Sequence, residues 1–429
     1  MTSFDSNGYI RSLEARGWQP GLERMFAACG ELGDPQKSFD SMLVAGTNGK
    51  GSTSAVLEAL LGFHGIKTGL YTSPSLEKVN ERISVAGRDI NDSDLESLTA
   101  GLVHVSEKHK LTQFEFLTLA AFAWFKKTGV EVGVLEVGMG GRLDAVNVVE
   151  PIVSVITPIG IDHVAFLGSD LRSIAIEKAG VMREGVVTIL ALQEPKVFKA
   201  FEERALDIGS KLVCEDKDFS STRKGHEHIF GPEIFSYRSD ELSLDDLRLN
   251  LLGPHQVSNA SCAIAAFVKT ACKTGFEIEE GLVRRSLEQV RWPGRFEVIR
   301  LDPPVVLDGA HNPHGVASLI ETLRERVGGS PVHLVFGVLG DKDWRSMVPM
   351  LAGSVSDVQV APPSSPRAAD PEVIASAFLE NGVAASASKN VSEALEKAVA
   401  LARKDSGVVV VCGSLYMLGE VISHERSQA

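Results

Sequence analysis

The feature that most constrains the fold is a glycine-rich turn between an apolar run and a segment with helical composition. Residues 42–45 are apolar and long enough for a buried strand, and residues 54–61 have a helical pattern. Residues 46–51, with the sequence Gly-Thr-Asn-Gly-Lys-Gly, lie between them. A helix N-terminus presents unpaired N–H groups, and glycines let phosphate oxygens approach the backbone. The stretch therefore predicts a loop that holds a nucleoside triphosphate, with Lys50 reaching its phosphates.

The turn departs from the common G-x-x-x-x-G-K-[ST] pattern. Val44 stands where the first glycine of that pattern would be, and Gly51 follows Lys50. The first hydroxyl groups therefore come at Ser52 and Thr53. The alternative is an ordinary glycine turn before a surface helix. Phosphate binding is the preferred interpretation, because a lysine and hydroxyl side chains flank the third glycine.

Composition excludes several classes of protein. The 429 residues suggest two or three domains, and 43 basic against 56 acidic residues give a net charge of −13. That charge argues against broad binding to nucleic acid or to an anionic membrane. The five cysteines form no C-x-x-C pair, and the N-terminus lacks the pattern of a secretory signal. We therefore expect a reduced, cytoplasmic protein with neither nucleic-acid nor membrane partners.

Strand and helix patterns alternate along most of the chain. This alternation predicts an α/β fold with a mostly parallel sheet in each of two domains. We expect an ATP-binding domain over residues 1–297 and a smaller, Rossmann-like α/β domain over residues 298–429. A helix is predicted over residues 7–30, with Trp18 among its apolar contacts. Residues 215–248 are polar and predict irregular structure with short strands.

Polar residues follow several predicted strands, where ligands bind in open α/β sheets. Glu136 ends a buried strand, and a buried carboxylate is costly without a positive partner. Mg²⁺ beside a triphosphate would supply one, and a salt bridge to Arg142 is the alternative. Ser73 offers a hydroxyl ligand, although a serine before proline more often forms a turn. His163 suits either a metal ion or the cap of the following helix.

Other polar residues are less specific on their own. Lys178 lies in an otherwise apolar helix, where a lysine usually faces solvent. Asn259, Arg295 and Asp308 suit nucleotide binding near a domain junction, but each residue alone is uninformative. No Ser-His-Asp or Cys-His arrangement stands out. An enzyme with these residues would work by positioning and charge neutralisation, as in phosphoryl transfer.

Taken together, these stretches resemble the folylpolyglutamate synthase/dihydrofolate synthase family of Mur-ligase-like, ATP-dependent amide ligases. The shared motifs occur in family order from about Gly21 to Gly413 and are GTNGKGST, TSPSL with NERI, FEFLT, LEVGMGGRLDAVN, DH, EKAG, PGRF, LDGAHNP and VFGVLGDKD. The resemblance implies that a C-terminal domain closes over the cleft and contributes to binding glutamate and ATP. It also implies that ATP phosphorylates a substrate carboxylate, which the amino group of L-glutamate then attacks.

The resemblance further implies roles for individual residues. ATP contacts would come from Asn48, Gly49, Lys50, Gly51, Ser52, Asn259, Arg295 and Asp308. Ser73 and Glu136 match ligands of one Mg²⁺, and His163 matches a ligand of a second. Lys178 matches the lysine that carbon dioxide converts to N6-carboxylysine in this family. Lys50, His163 and Lys178 are accordingly predicted to be catalytic.

The side of the site that holds the pterin would be lined by Thr112, Gln113, Phe114, Glu115, Leu143, Asp144 and Ala145. One departure is Ser75, where many members of the family have histidine. We expect a monomer that uses dihydropteroate, folates and L-glutamate, with both synthase activities. The alternatives are a monofunctional folylpolyglutamate synthase, a cell-wall Mur ligase and a P-loop ATPase without ligase activity.

Overall fold

A large, mostly parallel sheet forms the centre of the N-terminal part. The computed structural model describes residues 4–162, 166, 168 and 170–428. Within these residues, the strands of the first sheet are β1 (Asp40–Ala45), β2 (Thr68–Tyr71), β3 (Ile83–Val85), β4 (Arg88–Asp89), β5 (Val132–Glu136), β6 (Pro151–Ile156), β7 (Val187–Leu190) and β8 (Lys211–Cys214). Their spatial order is β4-β3-β2-β5-β1-β6-β7-β8, and only the pairs β2–β3 and β3–β4 are antiparallel.

Two further sheets follow. An antiparallel sheet in the order β11-β10-β9 consists of β9 (Phe219–His226), β10 (Glu233–Ser239) and β11 (Ser243–Leu249). The third sheet has the order β12-β13-β17-β14-β15-β16 and is parallel except for the pair β12–β13. Its strands are β12 (Glu297–Leu301), β13 (Pro304–Leu307), β14 (Val332–Phe336), β15 (Asp357–Val360), β16 (Ala384–Ala387) and β17 (Val408–Cys412).

Helices cover both faces of the two large sheets. They are α1 (Ser6–Ser12), α2 (Glu23–Glu31), α3 (Lys50–Phe63), α4 (Asp92–His109), α5 (Gln113–Thr128), α6 (Leu171–Lys178), α7 (Pro195–Ile208), α8 (Pro254–Thr274), α9 (Glu280–Gln289), α10 (Pro313–Arg326), α11 (Trp344–Ala352), α12 (Pro371–Glu380), α13 (Val391–Asp405) and α14 (Leu415–Gln428). Single 3₁₀ turns occur at Leu13–Arg16, Pro35–Lys37, Val79–Arg82, Ala145–Val148 and Ala179–Val181. Within the described residues, no helix combines the length and apolarity needed to cross a membrane.

Each face of a large sheet carries its own hydrophobic core. Helices α4 and α5 pack on one face of the first sheet, and α3 and α8 pack on the other. In the third sheet, α10–α12 cover one face, and α13 with α14 covers the other. Strands buried on both faces read as continuous apolar runs, as β17 does. The predicted α/β architecture with two mostly parallel sheets is confirmed. The boundary predicted at 297/298 remains a prediction and falls at the start of β12.

Three local expectations differ from the structure. The helix predicted over residues 7–30 is interrupted after Arg16, where Gly17 has a φ of 60° and Gly21 a φ of 123°. Pro20 between them also removes a backbone donor, so the chain leaves the helix there. Trp18 is consequently 45% exposed rather than part of the core. Residues 215–248 form the antiparallel sheet, with strands longer than expected.

A buried ion pair joins the antiparallel sheet to the C-terminal part. Arg326 on α10 donates to Glu233 on β10 at 2.5 Å, and both side chains have no exposed area. Arg326 also donates to the carbonyl oxygens of Ile229 and Gly231, each at 2.9 Å. Because an unpaired charge would be costly in this position, the pair fixes α10 against the small sheet.

Candidate active site

The phosphate loop connects β1 to α3, as the sequence predicts. Gly49 caps the helix with a φ of 91°, a conformation that favours glycine. A Cβ at this position would lie 2.2 Å from Oδ1 of Asn259, so the loop and α8 pack closely. The Nζ of Lys50 donates to the carbonyl oxygen of Thr47 at 3.1 Å. Asn259 therefore lies against the loop, which brings two groups of predicted ATP contacts together.

The surroundings of the Ser52 hydroxyl show whether this loop could bind a triphosphate with a metal ion. Ser52 is 1% exposed, and within the described part of the chain its Oγ has no hydrogen-bond partner. It nevertheless lines the cavity beside Lys50. A hydroxyl without a protein partner at a cavity wall is free to contact a ligand, and Mg²⁺ prefers oxygen ligands. The loop residues therefore fit a triphosphate with its magnesium ion.

A cavity of about 430 Å³ opens beside the loop. All the predicted site residues except Gln113 and His163 line this cavity. Those in its lining are Asn48, Gly49, Lys50, Gly51, Ser52, Ser73, Thr112, Phe114, Glu115, Glu136, Leu143, Asp144, Ala145, Lys178, Asn259, Arg295 and Asp308. Gln113 points elsewhere, because its amide donates to the carbonyl oxygen of Ile10 and to Glu14. His163 lies outside the described residues, and its role stays a prediction.

Glu136 lies at the carboxyl end of β5 and is 5% exposed. Its Oε2 accepts a hydrogen bond of 3.3 Å from the backbone N–H of Ser73. Arg142 pairs with Glu177 at 2.7 Å instead, so the alternative of a salt bridge between Glu136 and Arg142 is wrong. Burial raises the pKa of Glu136, and the positive charge of Lys50 opposes that rise. A buried carboxylate beside cationic groups and a serine suits a magnesium ion.

Lys178 at the end of α6 is 5% exposed, so the interpretation of a solvent-facing lysine is wrong. Its Nζ donates to the carbonyl oxygen of Gly46 in the phosphate loop at 2.6 Å. Burial and, next, the charge of Lys50 lower its pKa to about 7, although Asp162 and Asp144 oppose the change. A considerable fraction of this amine is therefore neutral near neutral pH.

The wall of the cavity that contains the residues predicted to line the pterin side has a second unusual carboxyl group. Asp144 accepts hydrogen bonds from the N–H groups of Met139 at 2.9 Å and Val146 at 3.1 Å. Burial is the main cause that raises its pKa to about 6. Glu115 is held by a capping box with Thr112 and lies 2.8 Å from Nη2 of Arg24.

The C-terminal part supplies the opposite wall. Asp308 accepts hydrogen bonds from the N–H groups of Phe296 at 3.0 Å and Ala310 at 2.8 Å. The guanidinium of Arg295 lies over Gly309, where an added Cβ would be 2.0 Å from Nη1. These contacts place the predicted ATP residues Arg295 and Asp308 side by side across the cleft from the phosphate loop.

Two polar contacts join the walls of the cleft, and neither pairing could be predicted from the sequence. Nδ2 of Asn312 donates to Oδ1 of Asn48 at 3.0 Å, and Nζ of Lys342 pairs with Oδ1 of Asp162 at 2.6 Å. Each pair joins residues more than 150 positions apart, so only the folded topology brings them together. The motifs AHNP and GDKD contain Asn312 and Lys342, and those motifs were the only signal available.

A second cavity of about 740 Å³ meets the first at Ser73, Glu136 and Arg295. It lies between the loop that follows β2 and helix α14, with Lys78 and Arg426 in its lining. Glu136 and Ser73 therefore lie between two cavities.

Comparisons with known proteins agree with this geometry. The Mur ligase middle domain family matches residues 44–267, and the Mur ligase glutamate ligase domain family matches residues 294–415. The dihydrofolate synthase/folylpolyglutamate synthase of Bacillus subtilis is 33% identical over 428 residues, which is 97% of each chain.

Solved structures give the same result. Mycobacterium tuberculosis folylpolyglutamate synthase, complexed with ADP and AMPPCP, has a TM-score of 0.91 and 32% identity, covering 98% of this chain and 99% of that one. Escherichia coli FolC in complex with DHPP and ADP has a TM-score of 0.88 and 30% identity, covering 99% and 98%. The chain therefore belongs to the folylpolyglutamate synthase/dihydrofolate synthase family of Mur ligases.

Proposed function

We propose that this protein joins L-glutamate to the carboxylate of a pterin-containing acceptor and converts ATP to ADP and phosphate. The observation that carries the proposal is one cavity in which three elements meet. These are the phosphate loop with Lys50, the buried side chains of Glu136 and Lys178, and the wall around Phe114 and Asp144 that we assign to the acceptor. An ATP-dependent ligase needs all three close together, because nucleotide and acceptor must react directly.

The chemistry has a simple physical basis. A carboxylate is a poor acylating agent, so the acceptor oxygen first attacks the γ-phosphorus of ATP and ADP leaves. The amino group of L-glutamate then attacks the acyl phosphate, a proton is lost, and phosphate leaves as the amide forms. Lys50 and the N-terminus of α3 hold the phosphates and stabilise their negative charge during the first step.

We place one magnesium ion at Ser73 and Glu136 and a second at His163. When bound, magnesium would offset negative charge on the phosphates and the acyl phosphate. The orphaned hydroxyl of Ser52 and the buried carboxylate of Glu136 support this assignment. Asn259, Arg295 and Asp308 would hold the remainder of the nucleotide.

We also propose that Lys178 becomes N6-carboxylysine. Only the neutral form of an amine attacks carbon dioxide, and the lowered pKa of Lys178 supplies that form near neutral pH. The product is an anion directly behind the phosphate loop, where the amine already contacts Gly46. Such an anion would help to hold a cation near Lys50.

For the acceptor, we propose both dihydropteroate and reduced folates, which makes the protein bifunctional. The Bacillus subtilis relative is named for both synthase activities, and the Escherichia coli structure contains DHPP. The relatives do not favour a cell-wall ligase or a non-ligase ATPase. We assign the acceptor to the part of the cavity lined by Thr112, Phe114, Leu143, Asp144 and Ala145.

The test is ADP release with dihydropteroate and with a reduced folate in parallel, each with and without L-glutamate. We expect release that requires both an acceptor and L-glutamate. If neither pterin stimulates release, the proposal is refuted. Activity with the reduced folate alone would support the monofunctional alternative.

A further inference from the structure

Gly51 is the residue of the phosphate loop whose identity the proposed reaction leaves unexplained. It follows Lys50, at the position where the common pattern has serine or threonine. It lies in the first turn of α3, so no unusual backbone angle calls for glycine there. Glycine in a helix is less favourable than alanine, because its backbone loses more freedom on folding. The space around Gly51, rather than its backbone conformation, has to explain the glycine.

The indole ring of Trp292 fills the space beside Gly51. A Cβ added to Gly51 would lie 2.7 Å from Nε1, 3.0 Å from Cε2 and 3.1 Å from Cζ2 of that ring. The indole also packs on the hydrophobic core between α3, α8 and the first sheet, which holds the ring in place. Closely packed interiors do not absorb even one added methylene freely. A methyl group at residue 51 would therefore displace either the phosphate loop or the indole.

Trp292 belongs to the segment that joins the N-terminal and C-terminal parts, residues 290–296. At the start of this segment, Val290 is buried in the same core on which Trp292 packs. Towards its end, the carbonyl oxygen of Gly294 accepts a hydrogen bond of 2.8 Å from the N–H of Gly309, and Phe296 is 1% exposed in the core of the third sheet. Phe296 has a φ of 44°, which a bulky residue adopts only when its surroundings hold it there. The segment is therefore fixed at both ends.

We propose that Trp292 is a positioning residue, whose indole sets the distance between the phosphate loop and the nucleotide residues Arg295 and Asp308 on the opposite wall. The inference rests on the proposed function, because both walls must bind the same ATP molecule. Trp292 lies three positions before Arg295 and lines the second cavity but not the first. It therefore acts through its contact with Gly51 and not by touching the nucleotide.

The same contact accounts for the departure from the common phosphate-loop pattern. In that pattern the hydroxyl group directly after the lysine binds the magnesium ion. Trp292 leaves no room for such a side chain at residue 51. The next residue, Ser52, has a hydroxyl group without a hydrogen-bond partner among the described residues. A glycine followed by a serine is thus the arrangement that this packing allows.

The test is a double-mutant cycle of the whole protein with Gly51→Ala, Trp292→Leu and the combination of both. The readouts are the KM for ATP and the Kd for the ATP analogue AMPPCP, which needs no turnover. Each single substitution should raise both constants by about tenfold, since small displacements of a binding loop have effects of this order. The combination should also stay near about tenfold, because leucine leaves room for the added methyl group, whereas independent effects would multiply to about a hundredfold.

Gly62→Ala is the matched control, since Gly62 lies in the same helix and an added Cβ there would have no neighbour closer than 3.8 Å. It should change neither constant by more than about twofold, with or without Trp292→Leu. The KM for dihydropteroate should also stay within about twofold in every variant, because the indole does not line the first cavity. Trp292→Phe keeps a flat ring and should recover most of the lost affinity.

Urea midpoints show which variants fold. If Trp292→Leu does not fold, the cycle is run with Trp292→Phe instead, and the combined effect with Gly51→Ala must then be smaller than the product of the two single effects.

The possible outcomes separate the two proposals. If the wild type turns over but the effects of Gly51→Ala and Trp292→Leu multiply, the nucleotide itself requires the glycine, so the role of Trp292 is refuted and the proposed function stands. Equal rises in the KM values for ATP and dihydropteroate would make Trp292 merely structural and would also refute the inference. If the wild type releases no ADP with any pterin, the proposed function fails, and the cycle of AMPPCP affinities still decides the role of Trp292. Failure of the wild type to bind AMPPCP would refute both.

Discussion

Replacing Lys178 by methionine should abolish turnover and make the protein more stable. The structure gives the magnitude of the second effect. The pKa of Lys178 falls from an ordinary value of 10.5 to about 7 in the folded protein, mainly because of burial. At about 1.4 kcal/mol for each pH unit, this difference disfavours the charged form by about 5 kcal/mol. Methionine has a similar volume and carries no charge, so it removes that penalty.

The sign of the pH dependence follows from proton binding. Between pH 7 and 10.5 the unfolded chain holds a proton on Lys178 that the folded chain releases, so wild-type stability rises with pH in this window. The destabilisation by Lys178 is complete below about pH 7 and vanishes above about pH 10.5. It amounts to about 4 kcal/mol at pH 7 and about 2 kcal/mol at pH 9. The lost hydrogen bond to Gly46 subtracts about 1 kcal/mol.

We therefore expect Lys178→Met to raise the free energy of unfolding by about 3 kcal/mol at pH 7 and about 1 kcal/mol at pH 9. The assay is urea unfolding without nucleotide, in buffer depleted of carbon dioxide so that the amine stays unmodified. Lys199→Met is the control, because Lys199 is exposed and its substitution should show no such trend. A variant that is less stable than the wild type at pH 7, or a difference equal at both pH values, would refute the reasoning.

Three further predictions concern the same site and the buried ion pair between the antiparallel sheet and α10. Glu136→Gln should abolish magnesium-dependent turnover with the urea midpoint unchanged or higher, since burial already disfavours the charged form; normal rates would exclude Glu136 as a ligand. Lys178→Ala should lose activity that short carboxylates partly restore, and full activity without additives would contradict a carbamate. Glu233→Gln should lower stability by about 3 kcal/mol, because Arg326 loses its buried partner. The exposed ion pair that Glu280 forms on α9 should contribute less than about 1 kcal/mol to the free energy of unfolding. Equal losses of stability in Glu233→Gln and Glu280→Gln would therefore contradict this prediction.

Local patterns in the sequence were sufficient for the phosphate loop and for most strands and helices. The spacing of Gly46, Gly49 and Lys50 between a strand and a helix depends on neighbouring residues alone, and the structure has that arrangement. The edge strands β12 and β16 give no such signal, because their residues are partly exposed and lack a continuous apolar run.

The environment of Lys178 was not predictable from its helix alone. An added Cβ at Gly141 would lie 3.0 Å from Cα of Lys178, so the absence of a side chain there permits close packing of α6. That contact joins segments almost 40 residues apart. The same limit applies to Lys342 and Asp162, whose pairing depends on how the two sheets are placed. In each case the sequence gives the type of residue, but it does not show which distant residue the side chain contacts.

In the proposed reaction, ATP activates the acceptor by phosphorylating its carboxylate. The most direct test uses dihydropteroate labelled with ¹⁸O in the carboxylate, together with ATP and L-glutamate. One labelled oxygen should appear in the inorganic phosphate for each amide formed, because the acyl phosphate breaks at the bond to carbon. Amide formation with no label in the phosphate would contradict the account.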